Sequence, residues 1–265
     1  MAGSGSNGSG SNGVARFTDQ VALVVGGANG IGRAIARRLG WEHARVVLAD
    51  IDHEGMRQTV REMQPTELDV LCLSCDVRKA CEVQKMVQDT MSAYGRIDIL
   101  MQVAGIGAAK PFLETEEETW DETMNVNLRG AFLVSKAVLP HMIARKRGKL
   151  VFMSSTNSWD AEAQLAHYSA SKAGVFLLAK TLAREFGRHG INSNALGPGC
   201  IRTRMSEPIL NEPEFKAKYD PVTGIVPAGR IGTPDDVAGP ALFLASEDAQ
   251  FINGAMLYVD GGQLA

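Results

Sequence analysis

Tyr168 and Lys172 stand four residues apart in the run AHYSASKAGVFLLAKTLARE. Its alanine content and apolar period predict a helix, and an i,i+4 pair on a helix shares one face. A free phenol titrates near 10, so only about one in a thousand is ionised at neutral pH. An ammonium held beside the ring favours phenolate, and bringing the phenol to neutrality needs roughly 4 kcal/mol of differential stabilisation. Such a group takes a proton from an alcohol as the alcohol is oxidised, and returns it in the reverse direction. Alone, a Tyr-x-x-x-Lys pair is common and mostly structural, so its weight depends on its company.

Ser155 closes the run KLVFMS, at the carboxyl end of an expected strand. A hydroxyl there can donate to the substrate oxygen while charge develops on it. Ser154 competes for the role, but one residue earlier in a strand it faces the other way. Asn127, in MNVNLRG, falls inside a long helical segment although Asn is a poor helix former. Two readings of it stand equally: it holds a water that connects Lys172 to solvent, or it kinks the helix.

An oxidised alcohol needs an acceptor for its electrons, and a glycine-rich turn offers a place for one. The run VGGANGIG puts glycines at Gly26, Gly30 and Gly32, with Asn29 and Ile31 between them. It follows an apolar strand and opens a helix at 31–39, the context in which such a turn cradles a pyrophosphate at a helix N-terminus. No Gly-Lys-Ser/Thr follows, which argues against a nucleoside-triphosphate loop. Asp50 ends the next apolar run, eighteen residues after Gly32. A carboxylate there accepts from the two ribose hydroxyls of NAD and repels the 2′-phosphate of NADP. Arg33 and Arg37 lie on the following helix and could swing over, so NADP is the less favoured cofactor.

These groups need a scaffold, and the rest of the chain describes one. Short runs rich in Val, Ile and Leu fall at 21–25, 45–49, 70–75, 97–103, 149–153, 190–195 and 255–259. Most are apolar throughout, as expected of parallel strands covered on both faces. Helical segments at 31–39, 82–94, 120–144 and 171–186 alternate with them. The expectation is an α/β fold of Rossmann type, a doubly wound parallel sheet of seven strands with its site at their carboxyl ends. A single catalytic domain would span 14–265. The aperiodic segment 197–233, rich in proline and glycine, reads as a substrate lid. Residues 1–13, almost wholly Gly, Ser and Asn, read as a flexible linker or tag, with a natural tail as the alternative.

Composition excludes several classes. Apolar residues make up 45 % and charged residues 22 % of 265, and the net charge is −3. That balance gives no general attraction to nucleic acid or anionic membranes. No apolar run spans a bilayer and no secretory signal opens the chain, so a cytoplasmic location is expected. Four cysteines make no disulfide framework. Cys72 and Cys75 spell CxxC, but an odd spacing within a strand puts them on opposite faces, and core packing without metal is the reading for both.

Together these residues resemble the short-chain dehydrogenase/reductase (SDR) family over nearly all of 14–265. The glycine motif has Val25 in the threonine position. The Asn-Ser-Tyr-Lys tetrad falls on Asn127, Ser155, Tyr168 and Lys172, with Ser155 and Tyr168 thirteen positions apart. The resemblance implies that Tyr168 and Lys172 also touch the cofactor, that Asp50 and Ile51 flank its ribose, and that Asp76 with Val77 meets the adenine. It implies that Ala104 and Gly105 let the cofactor approach, and that Pro198, Gly199, Ile201 and Thr203 hold its carboxamide and phosphates. Gln102-Val103 replaces the usual Asn-Asn before Ala-Gly. The resemblance further implies hydride transfer between NAD and a secondary alcohol or ketone, and a homotetramer built partly on the helices at 120–144 and 168–186.

The stretch between Ser155 and Tyr168 holds Asn157, Asp160, Glu162 and Gln164, with Trp159 and Leu165 as apolar cover. If it lines the pocket, a small polyhydroxylated substrate fits; these side chains facing solvent is an equal reading. An NADPH-linked carbonyl or 3-oxoacyl reductase is the second hypothesis and a non-catalytic dinucleotide sensor the third. His167 lies about 100° round the helix from Tyr168 and receives no role.

Overall fold

The computed structural model describes residues 15–63, 69–211, 213–220 and 224–265. The linker reading of 1–13 lies outside them, as does residue 14. Seven parallel strands are β1 (Val21–Val25), β2 (Arg45–Asp50), β3 (Val70–Ser74), β4 (Ile99–Gln102), β5 (Gly148–Met153), β6 (Ile191–Pro198) and β7 (Met256–Val259). They pair in the order β3-β2-β1-β4-β5-β6-β7, each pair parallel. Chain direction across the sheet reverses between β1 and β4, where crossovers leave to opposite sides and open a crevice at the strands' carboxyl ends.

The helices explain why the inner strands are apolar throughout. Alternate residues of β1 go to opposite faces: Ala22 and Val24 join a core with Ile35 and Leu39 of α1 (Gly30–Trp41) and with Val237 and Leu242 of α9 (Pro234–Ala245). Val21, Leu23 and Val25 join a second core with Val83 and Met86 of α3 (Ala80–Tyr94), Val134 and Val138 of α5 (Gly130–Arg145) and Val175 of α6 (Ala166–Phe186). Each fully buried Val or Leu contributes roughly 1.5–3 kcal/mol, so both faces hold the sheet in register. At the edge, β3 is covered less: Cys72 is exposed whereas Cys75 just beyond the strand is buried. The core reading therefore holds for Cys75 alone, whose thiol burial pushes up to about 12. No cluster of metal-ligating side chains occurs among the described residues, and none of the described helices is long and apolar enough to cross a membrane.

Three departures from the sequence expectations matter. The helix expected at 120–144 is two, α4 (Glu117–Met124) and α5, joined by a π-turn over Asn125–Arg129. Neither α2 (His53–Met63) nor α9 stood out in the sequence; α9 runs unbroken although it contains Gly239 and Pro240. The segment 197–233, aperiodic in sequence, is partly helical, with short α7 (Glu207–Leu210) and α8 (Pro213–Lys218).

Candidate active site

A cleft of about 690 Å³ opens at the crevice and is lined by residues from the ends of β1, β2, β4, β5 and β6. The glycine turn forms its floor. Gly26 has φ +87°, and a Cβ on it would stand 2.5 Å from the backbone nitrogen of Ala104. A Cβ on Gly32 would stand 1.9 Å from the Gly26 carbonyl oxygen, so only glycine lets α1 start where it does. Asn29 precedes α1 without a side-chain cap, and no acidic residue occupies the first turn. Free N–H groups at the positive end of the helix dipole thus sit beside the cleft, a fit for a pyrophosphate.

Asp50 lies on the cleft wall, where its carboxylate accepts from the backbone nitrogens of Ala28 and Asp52, both at 3.0 Å. Two of its roughly four lone-pair positions are then used, leaving room for ribose hydroxyls. Arg33 is not free to turn toward it: its guanidinium donates to the Ala28 carbonyl, Asn29 and Glu62. Arg37 is held by Glu62 and lies over the Trp41 ring. Asp76 reaches the cleft too, but Arg78 grips both of its oxygens at 2.8–3.1 Å, a contact that holds the carboxyl below its usual range. All seventeen sequence-expected cofactor residues, Gly26, Asn29, Gly30, Ile31, Gly32, Asp50, Ile51, Asp76, Val77, Ala104, Gly105, Tyr168, Lys172, Pro198, Gly199, Ile201 and Thr203, line this one cleft.

At its inner end stand Ser155, Tyr168 and Lys172. Tyr168 and Lys172 lie on α6 as the spacing required, the amine 5.6 Å from the ring centroid. Lys172 Nζ donates to the Met153 carbonyl at 2.9 Å. Burial pushes this amine down to about 8. The phenol moves the opposite way from the sequence expectation: burial raises it, and the hydrogen bond with Ser155 lowers it only in part. The reason is physical: keeping a phenolate out of water costs more than one hydrogen bond with Ser155 returns. Ser154 is excluded as the donor, because its hydroxyl is committed to the Lys172 carbonyl at 2.9 Å.

Asn127 does not line the cleft; it braces it. Its Oδ1 accepts from the Ile106 nitrogen at 2.8 Å, and its Nδ2 donates to the Ile106 carbonyl and to Ser171 Oγ, each at 2.9 Å. A Cβ on Gly105 would stand 3.0 Å from Lys172 Nζ and 3.2 Å from Asn127 Oδ1, so both groups face the same backbone. Asn127 sits at the centre of the π-turn, an irregularity at the point where the sequence set a poor helix former.

The stretch between Ser155 and Tyr168 divides. Asp160 and Gln164 are exposed, and Trp159 is 79 % exposed. Glu162 is turned to α8 and the residue after it, where it accepts from Lys218 at 2.9 Å and from the Tyr219 hydroxyl at 3.3 Å. Asn157 is buried beside Ser155. His167 is fully buried with neither ring nitrogen paired, and Gln102 likewise with neither amide atom paired. Sequence reasoning missed Asp52, Arg78 and Arg204 on the cleft wall. Arg204 reaches Asp52 at 3.6 Å, a pairing across more than 150 residues with no sequence signal.

The residues fit a nicotinamide dinucleotide: an open helix N-terminus for phosphates, a carboxylate for a ribose, and a phenol, a hydroxyl and an amine at the far end. Comparison with known proteins agrees. Residues 26–263 match the family model described as enoyl-(acyl carrier protein) reductase. A (2S)-[(R)-hydroxy(phenyl)methyl]succinyl-CoA dehydrogenase subunit of Thauera aromatica is 40 % identical, covering 92 % of this chain and 96 % of the relative. An NAD-dependent glycerol dehydrogenase of Listeria innocua is 37 % identical, covering 93 % and 94 %. The crystal structure of levodione reductase superposes with a TM-score of 0.89 at 34 % identity, covering 94 % of this chain and 98 % of that one.

Proposed function

The chain belongs to the short-chain dehydrogenase/reductase family, whose members include dehydrogenases acting on CH–OH groups, and on that premise we propose that it interconverts a secondary alcohol and its ketone with NAD as cofactor and Tyr168 as acid/base. The observation that carries this reading is the meeting of Ser155, Tyr168 and Lys172 at one end of the cleft whose other end holds Asp50 and the glycine turn. Bound there, a nicotinamide dinucleotide would supply the hydride acceptor or donor. In oxidation the Tyr168 oxygen takes the alcohol proton, and in reduction it gives that proton back. Ser155 donates to the reacting oxygen and keeps it in line with the phenol. Lys172, fixed by the Met153 carbonyl, holds positive charge near the phenol, and its remaining N–H groups are placed for ribose hydroxyls. The Asn127 brace keeps Gly105 and Ile106 clear of both.

NAD is favoured over NADP because Asp50 faces the cleft while Arg33 and Arg37 are committed elsewhere. A polyol or sugar alcohol is the substrate class we favour. Its support is the glycerol-oxidising name of the relative above, since Asp160 and Gln164 face solvent and contribute nothing to a pocket. A homotetramer and a cytoplasmic location complete the proposal; all four cysteines are unpaired, as a reducing compartment allows.

The test mixes the protein with NAD or NADP and a panel of polyols and other secondary alcohols, following absorbance of the reduced cofactor. Turnover with NAD is expected, and Tyr168→Phe should lower kcat by about two to four orders of magnitude. A phenylalanine variant at full rate would remove Tyr168 from the mechanism.

A further inference from the structure

Beside the reacting groups sits one side chain whose hydrogen bonds do not balance. Asn157 is 8 % exposed, and its Oδ1 lies 3.5 Å from both Ser155 Oγ and Thr156 Oγ1. Its Nδ2 is buried without a partner. Each hydroxyl has another acceptor for its one hydrogen. The Thr156 hydroxyl donates to the Pro198 carbonyl at 3.3 Å, and a Ser155 hydroxyl that serves Tyr168 or the substrate oxygen has spent its single proton. An acceptor would thus face two oxygens while two N–H donors are buried unused.

Half a turn of the amide exchanges two groups of nearly equal shape. The NH₂ then offers one hydrogen to each hydroxyl, and the carbonyl takes the place without a partner. That arrangement is the better one, because buried orphan donors are rarer than under-satisfied carbonyls. Ser155 Oγ already accepts from the Asn157 backbone nitrogen at 3.1 Å. With Nδ2 as a second donor both its lone pairs are filled, and its hydrogen can only point outward.

We propose that Asn157 is a positioning residue that donates through its side-chain amide to Ser155 and Thr156, locking Ser155 as a hydrogen-bond donor toward the reacting oxygen. Through Thr156 the same amide is tied to the Pro198 carbonyl, so the serine's orientation is coupled to the Pro198–Gly199 turn on the cofactor side. The inference rests on the catalytic reading of Ser155 given above.

Asn157→Asp and Asn157→Ala separate a donor from an acceptor. An aspartate is isosteric but accepts only, and takes the serine hydrogen back from the substrate. It should lower kcat about 10- to 100-fold, whereas alanine, which merely frees the hydroxyl to rotate, should lower it by only about two- to fivefold. KM for the dinucleotide should stay unchanged in both. The ratio of Asn157→Asp to wild-type rate should climb as pH falls, because a protonated carboxyl regains an O–H donor; the alanine ratio should stay flat. Aspartate as active as alanine, or a pH-independent aspartate ratio, overturns the proposal. Should the aspartate variant not fold, Asn157→Ala is measured in a Ser155→Ala background. No added loss is expected there, and a full independent loss overturns the idea. Ser155→Ala at wild-type kcat would defeat the catalytic reading and this inference with it. An impaired Ser155→Ala alongside an Asn157→Asp no worse than alanine defeats this inference alone.

Discussion

At Tyr168 and Lys172 desolvation acts on both groups in the same sense, toward the neutral form, raising the phenol and lowering the amine to about 8. Lys172 keeps its charge only below about 8, while the phenol, raised by burial, stays protonated through that range. Ketone reduction needs both the charged amine and the protonated phenol, so its kcat/KM should fall as pH rises through about 8. Initial rates from pH about 6 to 10 test it; a flat reduction profile would remove Lys172 as the ionising group. Asp50 carries the second prediction at this scale. Asp50→Asn keeps an acceptor for the turn but removes the charge that repels a 2′-phosphate, so the NAD/NADP ratio of kcat/KM should drop by about tenfold or more. An unchanged ratio would refute the role. That Ser155, Tyr168 and Lys172 meet in one cleft was legible because their spacing is local or tied to a strand end. The amide of Asn157, the Arg78 clamp on Asp76 and the Arg204–Asp52 pair were not, since each depends on where a side chain points after packing.

Between elements, the segment 197–233, which we propose as a lid, is joined to the loop after β5 by Glu162, which Lys218 and Tyr219 both reach from α8 and its end. Tyr219 also bonds Cys200 on the cleft wall, and burial with the Glu162 charge raises that thiol to about 11. A partly exposed contact of this kind is worth about 1 kcal/mol or less. Glu162→Gln or Tyr219→Phe should then raise KM for the alcohol about two- to fivefold, with kcat little changed. Hydrogen exchange across 207–218 should quicken in the same variants. Unaltered KM and exchange would show that the contact does not hold the lid. The sequence suggested a pocket-lining role for Glu162; its polar character was legible, its partner was not, because α8 lies more than fifty residues away. The π-turn at Asn127 was half legible: a poor helix former in a helix signalled an irregularity, but the partner of its side chain, the backbone of Ile106, lies in another segment.

For the whole molecule, α4, α5 and α6 leave Trp120, Phe132 and Leu177 38 %, 46 % and 60 % exposed. Apolar surface of that kind is the usual material of a subunit interface. Sedimentation should give a tetramer, and Leu177→Asp should shift the distribution to smaller species; a monomeric wild type would end the tetramer proposal. Strand number, the doubly wound arrangement and the location of the cleft followed from the sequence alone. Uninterrupted apolar runs on a two-faced sheet and a glycine turn between strand and helix are dictated by local sterics and by the period of burial. Tertiary structure alone decided which charges meet, which way amides and hydroxyls face, and how far burial moves Tyr168 and Lys172. Those outcomes depend on distances between segments remote in the chain, and no spacing within one segment encodes them.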